Sequence, residues 1–362
     1  MPGTIWGALN LNDDDERYVN TIGQQTVWDA VQQVLNDFNA ELALARGIFV
    51  AETTKLYREI YKLPGGGYLQ SLTNIGQPGA RKVEGEQQVE YPLFSWGDQI
   101  AGNDVELAYM TLPELQRHLD AVQTRAKNTM RKEILKTIFP NTSWSVKDQT
   151  NAGDLTVKPL ANGDSDLYSP LPGTESLITE NHYLESGYAA SAIDDTNNPV
   201  TTITDELEEH FGGGAIGGRD VVVFFNKAQR SKLKLLPDFA NDGLDEHLAP
   251  GSNVTTVVGL PQGLPGKVIG TAGAWLVEWD YIPENYLFGL HLSAPKPLKM
   301  RVDSAPGLGE GNLVLVQKDK SFPLESSFYR QRYGFGVANR LNGVVMELGT
   351  GGTYSTPVGY SR

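Results

Sequence analysis

The residues able to do chemistry in this chain are few, and their spacing does not assemble a reaction. Gly212, Gly213, Gly214, Gly217 and Gly218 form a cluster of the kind that cradles phosphate. A phosphate loop follows a strand and opens a helix. Here the order is reversed, because a helical stretch precedes the cluster and the apolar run 219–226 follows it, so it reads as a surface turn. The stretch 263–268 ends in Gly-Lys, but Val268 stands where a P-loop needs Ser or Thr, and Pro261 where it needs its first Gly. The histidines at 118, 182, 210, 247 and 291 include no pair at the spacing of a helix-borne metal site, and none is expected to bind metal or act as a general base. His118 is expected on a solvent face. Asn162-Gly-Asp-Ser-Asp166 alternates oxygens but lacks the turn Gly and distal Glu of a calcium loop, so it reads as a polar turn. The run Asp13 to Glu16 reads as solvated charge. No serine sits in a G-x-S-x-G context, and no spacing singles out a carboxylate pair. Cysteine is absent, which removes disulfides, thiolate catalysis and Cys-based zinc sites. The expectation is no catalytic residue, no cofactor and no metal.

Basic residues gather in one place, "SFYRQRYGFGVANRLNGVVMEL" from Ser327, with arginines at 330, 332 and 340. Arg330 and Arg332 share one face of a strand, with Tyr329, Gln331 and Tyr333 on the other. Such a row can meet phosphates or the carboxylates of a neighbouring copy. The chain carries 44 acidic residues against 30 Lys and Arg, a formal net charge of -14, which favours the carboxylates. The same balance argues against a protein whose main task is to grip nucleic acid.

The elements that would position these groups are uneven. The 362 residues are enough for one large or two to three small domains. With 40% apolar residues the chain can bury a core, and no apolar run is long enough to span a membrane. The N-terminus lacks the pattern of a signal peptide. Residues 1–25 read as a polar arm. A helix is predicted over Thr26–Arg46, capped by Thr26 and stopped by Gly47, with an apolar face that has no evident local partner. Residues 50–100 read as a long hairpin excursion with a polar tip from Gly76 to Glu86, too thin to stand alone. The clearest helix is Leu112–Phe139, with Thr111 and Glu114 spaced as a capping box and Pro113 in the first turn. Further helices are predicted from Thr202 to Phe211 and from Lys227 to Leu236. Strands are predicted over 219–226, 254–259, 267–279 and within 311–348. Helices and strands mix without regular alternation, which indicates an α+β fold.

The order of these pieces resembles the tailed-bacteriophage major capsid protein of the Hong Kong 97 fold. The resemblance rests on "SWGDQI" leading into "MTLPELQRHLDAVQTRAKNTMRKEILKTIF" and on the ending "FYRQRYGFGVANRLNGVVMEL". It implies an N-terminal arm and helix over 1–49, an extended loop over 50–98, and a peripheral domain with its spine helix over 99–175. An axial domain over 176–295 and a C-terminal return to the peripheral domain over 296–362 complete it. It also implies closing strands that pair beside the spine helix. Some members carry a long N-terminal scaffolding region; only residues 1–25 precede the first predicted helix here, so a separate scaffolding protein is implied. Some members join an extended-loop Lys to a peripheral-domain Asn. Lys82 lies in the loop and Asn339 and Asn342 in the last strands, but they do not align to that pattern. The implied function is structural, with no catalysis: pentamers and hexamers of an icosahedral shell enclosing double-stranded DNA. Portal and decoration proteins are implied partners, and the implied location is a virion capsid assembled in the host cytoplasm. Arg81, Lys82, Glu84 and Glu86 at the loop tip, with Arg330 and Arg332, are the expected inter-subunit contacts. The alternatives are an encapsulin-like compartment of the same fold and a carbohydrate-active α+β enzyme.

Overall fold

The computed structural model describes residues 18–22, 24–64, 66, 68–72, 76, 85–101, 109–148, 150, 153–212, 220–240, 264–305, 308–316 and 326–362. Tyr18 bridges to Thr111, and the Val19 N–H donates to the Met110 carbonyl at 3.0 Å. That tie draws the short helix α1 (Val19–Ile22) into the core, with Val19 buried. Residues 18–22 are therefore packed, not part of an unpacked arm. The acidic run 13–16 lies outside the described residues. Helix α2 (Gln24–Arg46) starts before Thr26, which sits inside the first turn and does not cap it. Val27, Val31, Leu35, Phe38 and Leu42 are all buried in the chain's own main core. The expectation of an uncovered apolar face on this helix is thus corrected. At its end the Gly47 N–H closes onto the carbonyls of Ala43 and Leu44, at 3.0 and 3.2 Å.

The next segment splits between two sheets. Strands β2 (Arg58–Lys62) and β3 (Glu86–Glu90) form a two-stranded antiparallel hairpin. Their flanks, β1 (Val50–Thr54) and β4 (Phe94–Ala101), do not belong to it. They join a five-stranded sheet with β12 (Leu298–Val302), β13 (Val314–Leu315) and β14 (Ser326–Val337). In that sheet β14 pairs with β4, β12 and β13, all antiparallel, while β1 runs parallel to β12. Helix α3 (Leu112–Ile138) lies against β14. Leu112, Leu115, Leu119, Val122, Met130, Ile134 and Ile138 make its buried stripe, and at 1.5 Å per residue it is about 40 Å long. The Thr111 side chain makes no capping bond, contrary to the capping-box reading; its backbone is engaged by Tyr18 and by the Leu115 N–H at 3.0 Å. Glycine at 334 and 336 lets the base of the hairpin cross β14 closely. A Cβ on Gly334 would stand 2.2 Å from the Pro92 carbonyl oxygen, and one on Gly336 2.6 Å from the Tyr91 ring.

Val221-Val-Val-Phe-Phe225 has no polar side, so its strand must be covered on both faces. It forms β8 (Val221–Phe225), inside a six-stranded sheet ordered β7 (Tyr183–Glu185), β15 (Val344–Glu347), β11 (Tyr286–His291), β8, β10 (Trp275–Glu278) and β9 (Lys267–Thr271). Val222 and Phe224 face the main core, and Val221, Val223 and Phe225 face a second one. Helix α4 (Pro199–Phe211) roofs the second core with Val200, Ile203 and Leu207. It starts before the predicted Thr202 because Asn198 caps it, accepting from the N–H groups of Val200 and Thr201 at 3.0 and 3.3 Å. The predicted strand 267–279 is two strands, turned by Gly273 at φ 80. The predicted helix 227–236 shortens to a 3₁₀ turn, Lys227–Gln229, and α5 (Arg230–Leu233). A separate pair, β5 (Trp144–Lys147) with β6 (Asp154–Val157), sits in the loop-rich stretch after α3. The strand expected at 254–259 lies outside the described residues. Strands β14 and β15 are not partners, which corrects the expected closing pair. The chain crosses from one sheet to the other at Asn342, whose fully buried side chain accepts from the His291 N–H at 2.9 Å. It also donates to the carbonyls of His291 and Pro295, at 3.0 and 2.9 Å.

Candidate assembly surfaces

The hairpin leaves apolar side chains in water. Ile60 is 57% exposed and Tyr68 73%, Leu69 is fully exposed, and Leu56, Tyr57 and Leu72 are also open. Its stem is not bare throughout. The Gln87 amide donates to the Leu167 carbonyl at 2.9 Å, and Gly66 stands so close to Pro170 and Thr174 that a Cβ there would clash. The ribbon therefore leans one face on its own chain, burying Gln87 and Val89, while Ile60, Tyr68 and Leu69 stay uncovered. Cross-strand charge pairs, Arg58 with Glu90 and Lys62 with Glu86, match the register.

A polar knot roots the hairpin. Glu59 accepts from the Tyr91 hydroxyl and from Lys299 Nζ, both at 3.0 Å, and from the Tyr61 hydroxyl. Lys299, on β12, also reaches Glu52 on β1 at 2.6 Å. Burial works against ionisation of Glu59, but hydrogen bonds from Tyr61, Lys299 and Tyr91 outweigh it and hold the carboxyl below its usual range. Burial likewise opposes the charge on Lys299, and the bonds to Glu52, Tyr61 and Glu59 outweigh it, raising that amine. The root thus ties the excursion to the five-stranded sheet.

The expected contact residues fare differently. Arg81, Lys82 and Glu84 lie outside the described residues. Glu86 stands on β3, exposed and paired with Lys62. Arg330 and Arg332 share a half-buried face of β14 while Tyr329, Gln331 and Tyr333 are buried, as the alternation requires. Arg332 already has a carboxylate in its own chain, Asp303 at 2.9 Å. Arg330 lines an open groove with Trp96, Gln99, Val316 and Phe328. Arg340 is not a surface residue at all. Its fully buried guanidinium donates to the carbonyls of Pro159 and Leu160 at 2.7 and 3.1 Å, to Asn162 at 2.9 Å, to Asp164 at 2.8 Å and to Asp166 at 2.5 Å. The oxygen-rich stretch 162–166 is thus the acceptor cage of an arginine, where the sequence indicated a plain polar turn.

One titratable cluster escaped the sequence reading. Glu180 and His182, ahead of β7, meet Glu206 and His210 on α4, with their ligand atoms all within 4.8 Å of one another. Sequence spacing offered only Glu206 and His210 one helical turn apart; the other half lies more than 20 positions earlier. Burial, with Glu180 and Glu209 nearby, pushes the Glu206 carboxyl up to about 7, and burial pulls His182 down to about 4. His118 is exposed on α3 as expected. Of the glycine cluster only Gly212 is described, at φ 75 in the C-cap of α4. Among the described residues, no helix is long and apolar enough to cross a membrane.

No family model and no curated protein matches the chain. Among solved structures it is similar to one from Mycobacterium phage Patience, at 20% identity and a TM-score of 0.65, covering 100% of this chain and 98% of that one. It is also similar to the capsid structure of the cyanophage P-SCSP1u, at 10% identity and a TM-score of 0.48, covering 83% and 86%. A third is the asymmetric unit of the bacteriophage PhiM1 mature capsid, at 10% identity and a TM-score of 0.49, covering 83% and 85%. The first likeness runs the length of both chains and shows a shared fold. The chain has an α+β fold, shared along its length with that phage structure.

Proposed function

We propose that this chain is the major capsid protein of a tailed bacteriophage. It builds pentamers and hexamers of an icosahedral shell around double-stranded DNA, in the host cytoplasm, with a separate scaffolding protein, a portal and decoration protein as partners. Its role is structural. In this reading 99–175 and most of 296–362 form the peripheral domain, 176–295 joined by β15 most of the axial domain, and 50–98, apart from β1 and β4, the extended loop. The observation that carries the reading is the hairpin, whose Ile60, Tyr68 and Leu69 face solvent on a two-stranded ribbon that its own chain only half supports. Exposed apolar groups on such a half-covered ribbon are what repeated contacts between identical copies would bury. The net charge of -14 suits an inner wall along which packaged DNA slides without adhering. Arg330 in its open groove and Glu86 on β3 remain contact candidates, as do Arg81, Lys82 and Glu84 at the loop tip.

Negative-stain microscopy with light scattering on the purified chain tests this. Rings or closed shells are expected, and a compact monomer at high concentration refutes it. The paired substitution Tyr68→Asp and Leu69→Asp should leave circular dichroism unchanged and abolish particles. DNA within native particles separates a virion from a cargo-holding compartment of the same fold.

A further inference from the structure

We propose that Glu180, His182, Glu206 and His210 form a tetrahedral zinc site that ties the last turn of α4 to the β7 edge of the six-stranded sheet. Two imidazoles and two carboxylates are a ligand set suited to zinc. The facing Nε2 atoms of His182 and His210 stand 3.2 Å apart, and Nε2 of His182 is 3.9 Å from Oε1 of Glu206. Ligands about 2.0–2.1 Å from a tetrahedral ion stand roughly 3.3 Å from one another, so the histidine pair already spans such an edge.

The tautomer of His182 gives a second, independent indication. Its ring is completely buried, and Nδ1 lies 2.9 Å from the Gly343 carbonyl. A carbonyl only accepts, so Nδ1 carries the proton and Nε2 presents a bare lone pair to the cluster. A histidine fixed through its far nitrogen by a backbone carbonyl is how metal-binding imidazoles are oriented. Backbone bonds also hold His182 and Glu180 in place. The His182 N–H donates to the Ala161 carbonyl at 2.8 Å, and the Gly163 N–H to the Glu180 carbonyl at 2.9 Å. Both acceptor and donor belong to the loop that Arg340 pins. His210 lies in the last turn of α4, where the partial negative charge of the helix end favours a cation.

The alternative is a metal-free pair in which the Nε2–H of His210 donates to His182. Zinc chloride titrated calorimetrically into the full-length chain, stripped with chelator, separates the two. About one zinc per chain is expected, and Glu206→Gln or His210→Gln should weaken it by roughly 100-fold or more, beyond the typical cost of losing only an outer-shell partner. Zinc should also raise the thermal midpoint of the parent chain and not of the paired variant Glu206→Gln, His210→Gln. Cobalt(II) absorption of the parent chain reads the geometry without any substitution, so poor folding of a variant does not spoil the test. Intense visible bands of a four-coordinate ion support the site. Absence of stoichiometric zinc, undiminished zinc in the paired variant, or the weak bands of six-coordinate cobalt overturn it.

Discussion

Helix α2 and the β2–β3 hairpin pose the same question in sequence and receive opposite answers in structure. Each shows apolar residues without an evident partner nearby. The stripe of α2 ends up buried against the main core, whereas Ile60, Tyr68 and Leu69 of the hairpin remain in water. The difference is one of reach. A helix concentrates its apolar side chains on one stripe that a distant sheet can cover whole. A two-stranded ribbon has two faces, and here one of them, with Gln87 and Val89, is covered by its own chain while the other, with Ile60, is left open.

That contrast can be broken by substitution. Leu35→Ala should cost about 2–5 kcal/mol of chain stability, because it removes a fully buried side chain from the main core; urea unfolding measures it, and a loss below 1 kcal/mol would place α2 with the hairpin. Lys299→Met should cost about 1–3 kcal/mol locally, since it leaves Glu59 without its cation. The expected readout is faster amide exchange in β2 and β3 with α2 unchanged. Acid should act in the same place. Glu59 ionises below its ordinary value of 4.5, so its contribution is complete above that pH and fades as pH falls through the lower folded value. Exchange in the hairpin should therefore accelerate below pH 4.5 before α2 responds, and the Glu59→Gln variant should lose that pH step. Leu69→Ala should change chain stability by less than about 0.5 kcal/mol, since the side chain is already exposed. A larger loss would mean that the arm is held by its own chain.

The same contrast shows where the sequence was legible. Spine helix α3, its stripe and its first-turn Pro113 were readable because they are local in period and punctuation. The role of Thr111 was not, because Tyr18, more than 90 positions earlier, takes up its backbone. Asn342-Gly343 carries a hairpin signal, yet Asn342 is consumed by His291 and Pro295 and sends β15 into a different sheet. Arg340 and its cage, and the two halves of the histidine cluster, are meetings across long stretches of chain that no spacing rule encodes. The hairpin itself was readable; that β1 and β4 leave it for the five-stranded sheet was not, since their partners β12 and β14 come well over 200 residues later.

Strand β14 sits between β12 and β13 and also holds β4, while β15 joins β7 to β11. On the ribosome, both sheets therefore wait for residues 326–347. Until that stretch emerges, β4 has no ladder and β7 no neighbour, however long ago they were translated. A chain still being made therefore carries β4 and β7 as unpaired strands over more than 150 residues of further synthesis, and its two sheets are completed together by the same late stretch.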